Sequence, residues 1–491
     1  MNGRTGETQG TGGFEAGGGA RSRVGLIVGP LLFAALLLLP PPAGMTPAGW
    51  RTAAVGLLMA VWWITEAIPI PATALVPLLL FPLLGVGSVS AAAAPYANPV
   101  IFLFLGGFLI AAALQRCGLH RRMALTIIAL VGASPRRLIG GFMAATAFIS
   151  MWVSNTATVV MLLPMALSVL GLVESRSRVG ANFGAALLLG LAYAASIGGM
   201  GTLIGTPPNA LLAGFMDEAY GVRIGFVEWM LLGVPLVLVA VPLAWLLLTR
   251  ILYPVPGDAA AGGADLIRDE LRRLGPLSRA ELLVGAITAL TAAAWVTRPL
   301  LDDIVPGLSD AGIAIGGALL LFVIPSHWRD RTPLLGWEDA RHVPWGVLLL
   351  FGGGLSLADA IEQTGLATWI GEALAVVAAW PPLLVVLTVN TVIVFLTELT
   401  SNTAVSAAFL PVAAALAVGI GADPLLLAVP VALGASCAFM MPVATPPNAI
   451  VYGSGRVTIP QMARAGFWLN LVMIVLATAA AFLLAPLILV R

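Results

Sequence analysis

The chain has 491 residues, of which 59% are hydrophobic and 10% charged, with a mean hydropathy of +1.01 and a net charge of +1. So few charges cannot cover a water-soluble body of this length, and the near-neutral balance offers no field for steering nucleic acid. All 24 basic residues are Arg, which excludes Schiff-base lysine chemistry.

Residues 1–22 are Gly-rich and polar and read as a disordered tail. The apolar run Val24–Leu39 resembles a signal-peptide core, but it is long and has no obvious small-residue cleavage site, so it reads as a retained first helix. Arg4, Arg21 and Arg23 precede it, and the positive-inside rule puts the N-terminus in the cytoplasm. Trp229–Leu248, Ala280–Val296 and Phe467–Val490 also approach or exceed the roughly 20 residues that cross a bilayer as helix. The expectation is an all-α polytopic protein of the cell (inner) membrane; the short alternating segments of a β-barrel are missing.

Further Arg clusters at 121–122, 136–137, 176–178 and 268–279 mark cytoplasmic segments. The last falls in 253–280, a linker in which flexible "PGDAAAGGAD" precedes "LIRDELRRLG", an interfacial amphipathic helix. It separates a first half, 23–252, from a second, 281–491. Cys117 and Cys437 lie far apart without redox or metal spacing, and His120, His327 and His342 lack companion ligands.

The halves repeat. "FLGGFLIAAALQRCGL" at 104–119 aligns with "FGGGLSLADAIEQTGL" at 351–366, pairing Gly106 with Gly353 and Gly118 with Gly365 at an offset of 247. At the same offset "SNTATVVMLLP" from Ser154 matches "SNTAVSAAFLP" from Ser401, and Ser150 matches Thr397. A third pair, "GTPPNA" at 205–210 and "ATPPNA" at 444–449, stands 239 apart. Duplicated halves with interrupted apolar segments at matching places point to a secondary transporter. Segments 138–171 and 383–420 could each be one long helix or a hairpin, and the central polar tripeptide favours the hairpin.

Ser, Asn and Thr cap helices, so a Ser-Asn-Thr tip would open a helix whose N–H groups point into the protein and attract a carboxylate or another anion. Consecutive prolines remove two N–H donors and would break a spanning helix near Thr206–Asn209 and Thr445–Asn448. Carbonyls freed there, with side-chain oxygens, suit a hard cation such as Na⁺. A dianion would meet up to four helix starts, each worth about half a positive charge at best. Co-bound cations would supply the rest, which is a physical reason to couple an anion to Na⁺.

At these residues the chain resembles the divalent anion/sodium symporter family of di- and tricarboxylate transporters. The resemblance is carried by both Ser-Asn-Thr signatures and by "WWITEAIPIPATAL" (62–75), "SIGGMGTLIGTPPNA" (196–210), "FLTELTSNTA" (395–404) and "MPVATPPNA" (441–449). It implies two inverted repeats with about eleven spanning helices and two re-entrant hairpins, a homodimer in membrane lipid, and a transport domain sliding elevator-fashion against a scaffold. It implies substrate binding by Ser154, Asn155, Thr156, Ser401, Asn402 and Thr403, with Thr206, Pro207, Thr445 and Pro446 completing the cavity. Two Na⁺ sites are implied, one from Ser150, Ser154, Asn155 and Gly205, the other from Thr397, Thr400, Asn402 and Ala444. Glu66 and Glu398 invite a proton-relay reading, against which the resemblance favours structural hydrogen bonding or helix-end placement.

The leading expectation is therefore Na⁺-coupled import of C4-dicarboxylates such as succinate, malate or fumarate. A Na⁺-independent dicarboxylate exchanger and a sulfate or citrate transporter remain alternatives, because helix N-termini bind anions generically. An anion channel is the rival outside that group, separable by conductance. No His-Glu-x-x-His or Gly-x-Ser-x-Gly pattern supports an intramembrane enzyme.

Overall fold

In a computed structural model of the chain, residues 20–131, 134–176, 180–255, 263–301, 305, 307–327, 332–373 and 379–489 are described. Among them the architecture is helical, apart from one isolated bridge between Pro325 and Pro333. The main helices are α1 (Ala20–Leu38), α2 (Pro47–Thr65), α3 (Pro99–Cys117), α4 (Leu119–Val131), α5 (Pro135–Ser150), α6 (Asn155–Arg176), α7 (Gly180–Gly199), α8 (Pro207–Tyr220) and α9 (Phe226–Leu246). After the linker follow α10 (Gly263–Arg273), α11 (Arg279–Leu301), α12 (Asp310–Val323), α13 (Trp345–Gln363), α14 (Leu366–Ala373), α15 (Pro382–Thr397), α16 (Asn402–Gly419), α17 (Leu425–Ala435), α18 (Pro446–Gly453) and α19 (Ile459–Ala479).

The chain punctuates these helices with caps and prolines. Thr46, Asn98 and Ser134 accept N–H bonds from the first turns of α2, α3 and α5, and each is followed by a proline whose missing N–H costs nothing there. Gly118 and Gly365 follow the ends of α3 and α13 in left-handed geometry, φ +79° and +75°, which carries the sequence repeat into the backbone. Gly106 and Gly353 repeat a close approach. A Cβ on Gly106 would stand 2.6 Å from the Ala314 carbonyl carbon, and one on Gly353 would stand 2.3 Å from the Ala74 oxygen. Without an aqueous driving force between helices, such small-residue contacts let backbones pack tightly.

Nine helical segments among the described residues are long and apolar enough to cross a membrane, and Leu130, Leu238, Val323 and Val475 are among the apolar side chains left exposed. This is a multi-pass membrane protein. The nine fall short of the eleven expected from resemblance because several apolar helices are cut short: α12, α15 and α17 have 14, 16 and 11 residues.

Two boundaries differ from expectation. Helix α1 begins at Ala20, inside the expected tail, whose residues 1–19 lie outside the described ones. The amphipathic helix is present as α10, but the flexible stretch before it, 256–262, is not described, nor are Ser177 and Arg178 of an Arg cluster. Helix α11 starts at Arg279, slightly before the expected second half.

The linker is tied down by two adjacent arginines of α4. Arg121 pairs with Glu270 at 2.8 Å. Arg122 pairs with Glu281 at 2.7 Å and also donates to the carbonyls of Leu274, Gly275 and Pro276. In the same helix, His120 donates from Nδ1 to the Leu114 carbonyl at 2.9 Å, and burial pushes its pKa down.

Candidate functional site

Both ambiguous segments are helix–turn–helix hairpins. The first is α5 and α6 joined at residues 151–154, the second α15 and α16 joined at 398–401. Their helices start 247 residues apart, as the motifs do. Asn155 and Asn402 open the return arms. The Ser154 hydroxyl accepts from Ala157 N at 3.3 Å, and Thr158 N donates to the Ser154 carbonyl at 3.0 Å. Val405 N donates to the Ser401 carbonyl at 3.0 Å, but the Ser401 hydroxyl makes no cap bond. Ser154 is exposed, whereas Asn155, Thr156, Ser401, Asn402 and Thr403 are half-buried.

The same side-chain pair recurs under each tip. Ser150 Oγ donates to Asn155 Oδ1 at 2.6 Å, and Thr397 Oγ1 donates to Asn402 Oδ1 at 2.7 Å. Thr397 Oγ1 also lies 2.8 Å from the Ala435 carbonyl at the end of α17. Ser150 and Thr397 are fully buried.

The Thr-Pro-Pro-Asn motifs begin half-helices, as proline at the first position allows. The preceding helices stop earlier than the prolines: α7 ends at Gly199 and α8 starts at Pro207, while α17 ends at Ala435 and α18 starts at Pro446. Thr206 and Thr445 are the buried N-caps, and the Thr445 hydroxyl accepts from Asn448 N at 3.3 Å. Pro207 is half-buried and Pro446 exposed. Sequence reading missed the work of the two motif asparagines. Asn209 Nδ2 donates to the carbonyls of Gly199, Met200 and Thr202, and Asn448 Nδ2 to those of Ala438 and Met441, each pinning the break before its half-helix. The signal was in view, since Asn closes both copies of the motif.

The residues expected to hold cations are only partly assembled. A Cβ placed on Gly199 would lie 2.9 Å from Asn155 Oδ1 and 3.0 Å from the Gly205 carbonyl, so both oxygens face the space that glycine leaves open. Ser150, Asn155 and Gly205 thus meet beside Gly199, a residue the sequence reading did not single out. In the second half Thr397 and Asn402 meet. Ala444 is buried nearby in sequence to Thr445, and the Thr400 hydroxyl turns to the Trp63 carbonyl at 3.5 Å, leaving its own carbonyl for any cation role. Hydroxyl, amide and carbonyl oxygens without a carboxylate are the donor set of a hard alkali cation.

The halves are cross-packed. Helix α6, opened by the first Ser-Asn-Thr, lies against α18, the half-helix of the second Thr-Pro-Pro-Asn, and α16 lies against α8 in the reciprocal way. Arg21 at the start of α1 donates to the carbonyls of Leu399 in the second turn and Ile64 in α2. Glu66 follows the end of α2 in left-handed geometry, φ +49°, which costs a non-glycine residue about 1–2 kcal/mol. Glu398 is 3% exposed and accepts N–H bonds from Phe439, Met440 and Met441. Glu66 therefore takes a helix-end place and Glu398 a hydrogen-bonded one.

A family model described as the sodium:sulfate symporter transmembrane region matches residues 21–490. The chain belongs to this family. It is 44% identical over 473 residues to the sodium-dependent dicarboxylate transporter SdcS of Staphylococcus saprophyticus, covering 94% of this chain and 91% of that protein. The transporter of the same name from Staphylococcus aureus strain USA300 is 42% identical over 476 residues, covering 95% and 92%. Among solved structures, the YdaH transporter of Alcanivorax borkumensis aligns with a TM-score of 0.58 at 15% identity, over 87% of this chain and 97% of that one. That likeness concerns the fold alone. The symporter-family chain is a transporter, not an enzyme.

Proposed function

We propose that this chain is a sodium-coupled importer of C4-dicarboxylates such as succinate, malate or fumarate. The observation that carries the reading is the duplicated pair, Ser150–Asn155 and Thr397–Asn402, set beneath two helix starts. The names of the staphylococcal relatives, sodium-dependent dicarboxylate transporters at 42–44% identity, supply the substrate class.

In this reading the substrate carboxylates meet the helix starts at Ser154, Asn155, Thr156 and at Ser401, Asn402, Thr403, with Thr206, Pro207, Thr445 and Pro446 closing the cavity. One Na⁺ is held by Ser150, Asn155 and the carbonyls of Ser154 and Gly205, a second by Thr397, Asn402 and the carbonyls of Thr400 and Ala444. Four helix starts at about half a positive charge each would at best just match a dianion, and the two cations place full positive charges beside it. Both hairpins are re-entrant, the repeats are inverted, the N-terminus is cytoplasmic, and a homodimeric scaffold carries a moving transport domain.

The test is uptake of labelled succinate into proteoliposomes with and without an inward Na⁺ gradient. Accumulation that requires the gradient is expected. Equal uptake without Na⁺ that depends on internal dicarboxylate would establish exchange and overturn symport.

A further inference from the structure

Three consecutive backbone N–H groups at the break between α17 and α18 point at one carboxylate. Phe439 N donates to Glu398 Oε1 at 2.6 Å, Met440 N to both oxygens at 2.9 Å, and Met441 N to Oε2 at 3.1 Å. Asn470 Nδ2 of α19 adds a contact to Oε1 at 2.7 Å. Successive N–H groups converging in this way form an anion-binding nest. Here the anion belongs to the chain itself, and every partner is a donor.

The first half fastens its break differently. At the repeat offsets, Met151 stands where Glu398 does, and Met200–Thr202 stand where Phe439–Met441 do. Met200 N and Gly201 N donate to the Ile197 and Gly198 carbonyls at 3.1 and 2.9 Å, completing the end of α7. Thr202 Oγ1 then donates to the Met151 carbonyl at 2.6 Å. Both halves thus tie the hairpin turn to the helix break, the first through a neutral bond and the second through a carboxylate.

We infer that Glu398 is a positioning residue for the second cation site. It joins the end of α15 and the turn after it, which bear Thr397 and Thr400, to the loop leading to Ala444. The inference rests on the sodium-coupled reading above. The oxygens of that site come from two segments with no helix continuous between them, so their spacing depends on what ties the segments together. Glu398 supplies this tie, and Asn448 supports the loop through the carbonyls of Ala438 and Met441. The two sites are therefore held by different ties, and loosening the carboxylate tie should weaken Na⁺ binding at the second.

The experiment titrates Na⁺ against choline at constant ionic strength for the wild type, Glu398→Gln and Asn470→Ala. Thermal unfolding of the purified protein and succinate uptake in proteoliposomes are both followed. Half-saturating Na⁺ is expected to rise at least about tenfold in Glu398→Gln and about threefold in Asn470→Ala, with a shallower Hill slope. A carboxylate that merely holds the fold would lower yield and maximal rate and leave half-saturation unchanged. That result in both variants overturns the inference. If Glu398→Gln is not recovered folded, Asn470→Ala decides by the same criterion. A wild-type protein whose uptake and unfolding ignore Na⁺ overturns the sodium-coupled reading itself, and this inference with it.

Discussion

Thr397→Val removes one oxygen from the proposed second cation site while nearly preserving shape. The Thr397 hydroxyl has two acceptors within reach, Asn402 Oδ1 at 2.7 Å and the Ala435 carbonyl at 2.8 Å. A hydroxyl owns one proton and two lone pairs, so it bonds one of these at a time. In the proposed site the proton would go to the Ala435 carbonyl, which would leave the lone pairs of Oγ1 and Asn402 Oδ1 for the ion. Valine forfeits a hydrogen bond worth about 1 kcal/mol net and leaves a buried acceptor short of a partner, for a total near 2 kcal/mol of stability. The ion would lose a hydroxyl ligand, a loss comparable to a hydrogen bond to a charged group, about 1.5–3 kcal/mol. Half-saturating Na⁺ should rise about 10- to 150-fold. Thr397→Ser keeps the oxygen and should stay within about threefold of wild type. The assay is initial-rate uptake of labelled succinate in proteoliposomes across a Na⁺ series, with choline holding ionic strength. A valine variant with wild-type Na⁺ dependence removes Thr397 from the cation site and refutes the pairing argument.

Asn155→Ala and Asn402→Ala should each abolish uptake while the purified proteins remain monodisperse, and near-normal uptake in both would remove the site assignment. Gly199→Ala pushes a methyl to within 2.9 Å of Asn155 Oδ1 and 3.0 Å of the Gly205 carbonyl. Its Na⁺ dependence should weaken more than its thermal stability, as a paired titration and melt would reveal. Arg122→Met leaves Glu281, 8% exposed at its side chain, without its ion partner. A loss of about 3 kcal/mol is expected, read as a lower unfolding temperature in detergent, and Glu281→Gln in the same chain should restore part of it.

The hairpins and half-helices were legible because their signals are local. Ser-Asn-Thr precedes a helix in both copies, although only Ser154 caps through its hydroxyl, and Pro-Pro opens one, so α6, α16, α8 and α18 start where the motifs said. The place where α7 and α17 stop was not legible in the same way. The prolines suggested a break at themselves, but the chain leaves helix seven or more residues earlier and needs Asn209 and Asn448 to hold the gap. The use of Gly199 was hidden because a glycine's role as open space depends on which oxygens come to face it. The Thr397–Ala435 contact joins residues 38 positions apart and has no sequence signal. Glu398 was visible as an isolated acid among apolar residues, but its partners, three backbone amides and Asn470, could not be read from residue types.

The crossed packing of the two halves bears on how such a site can open. If α6 and α18 lay in separate halves that parted, the first Ser-Asn-Thr would leave the second Thr-Pro-Pro-Asn with each cycle, and α16 would leave α8 likewise. Separation would expose the buried Thr206, Asn209, Thr445 and Asn448 and strip the breaks of their cover. Freed backbone groups at membrane depth cost several kcal/mol each unless protein or water satisfies them. In the elevator reading proposed above, the two hairpins would move with the half-helices α8 and α18 as one block past their surroundings. A contact that would then have to break at the block's edge runs from Arg21 to the Leu399 carbonyl. A cysteine pair engineered between α6 and α18 should therefore leave uptake intact when oxidised, whereas one joining α1 to the 398–401 turn should arrest it.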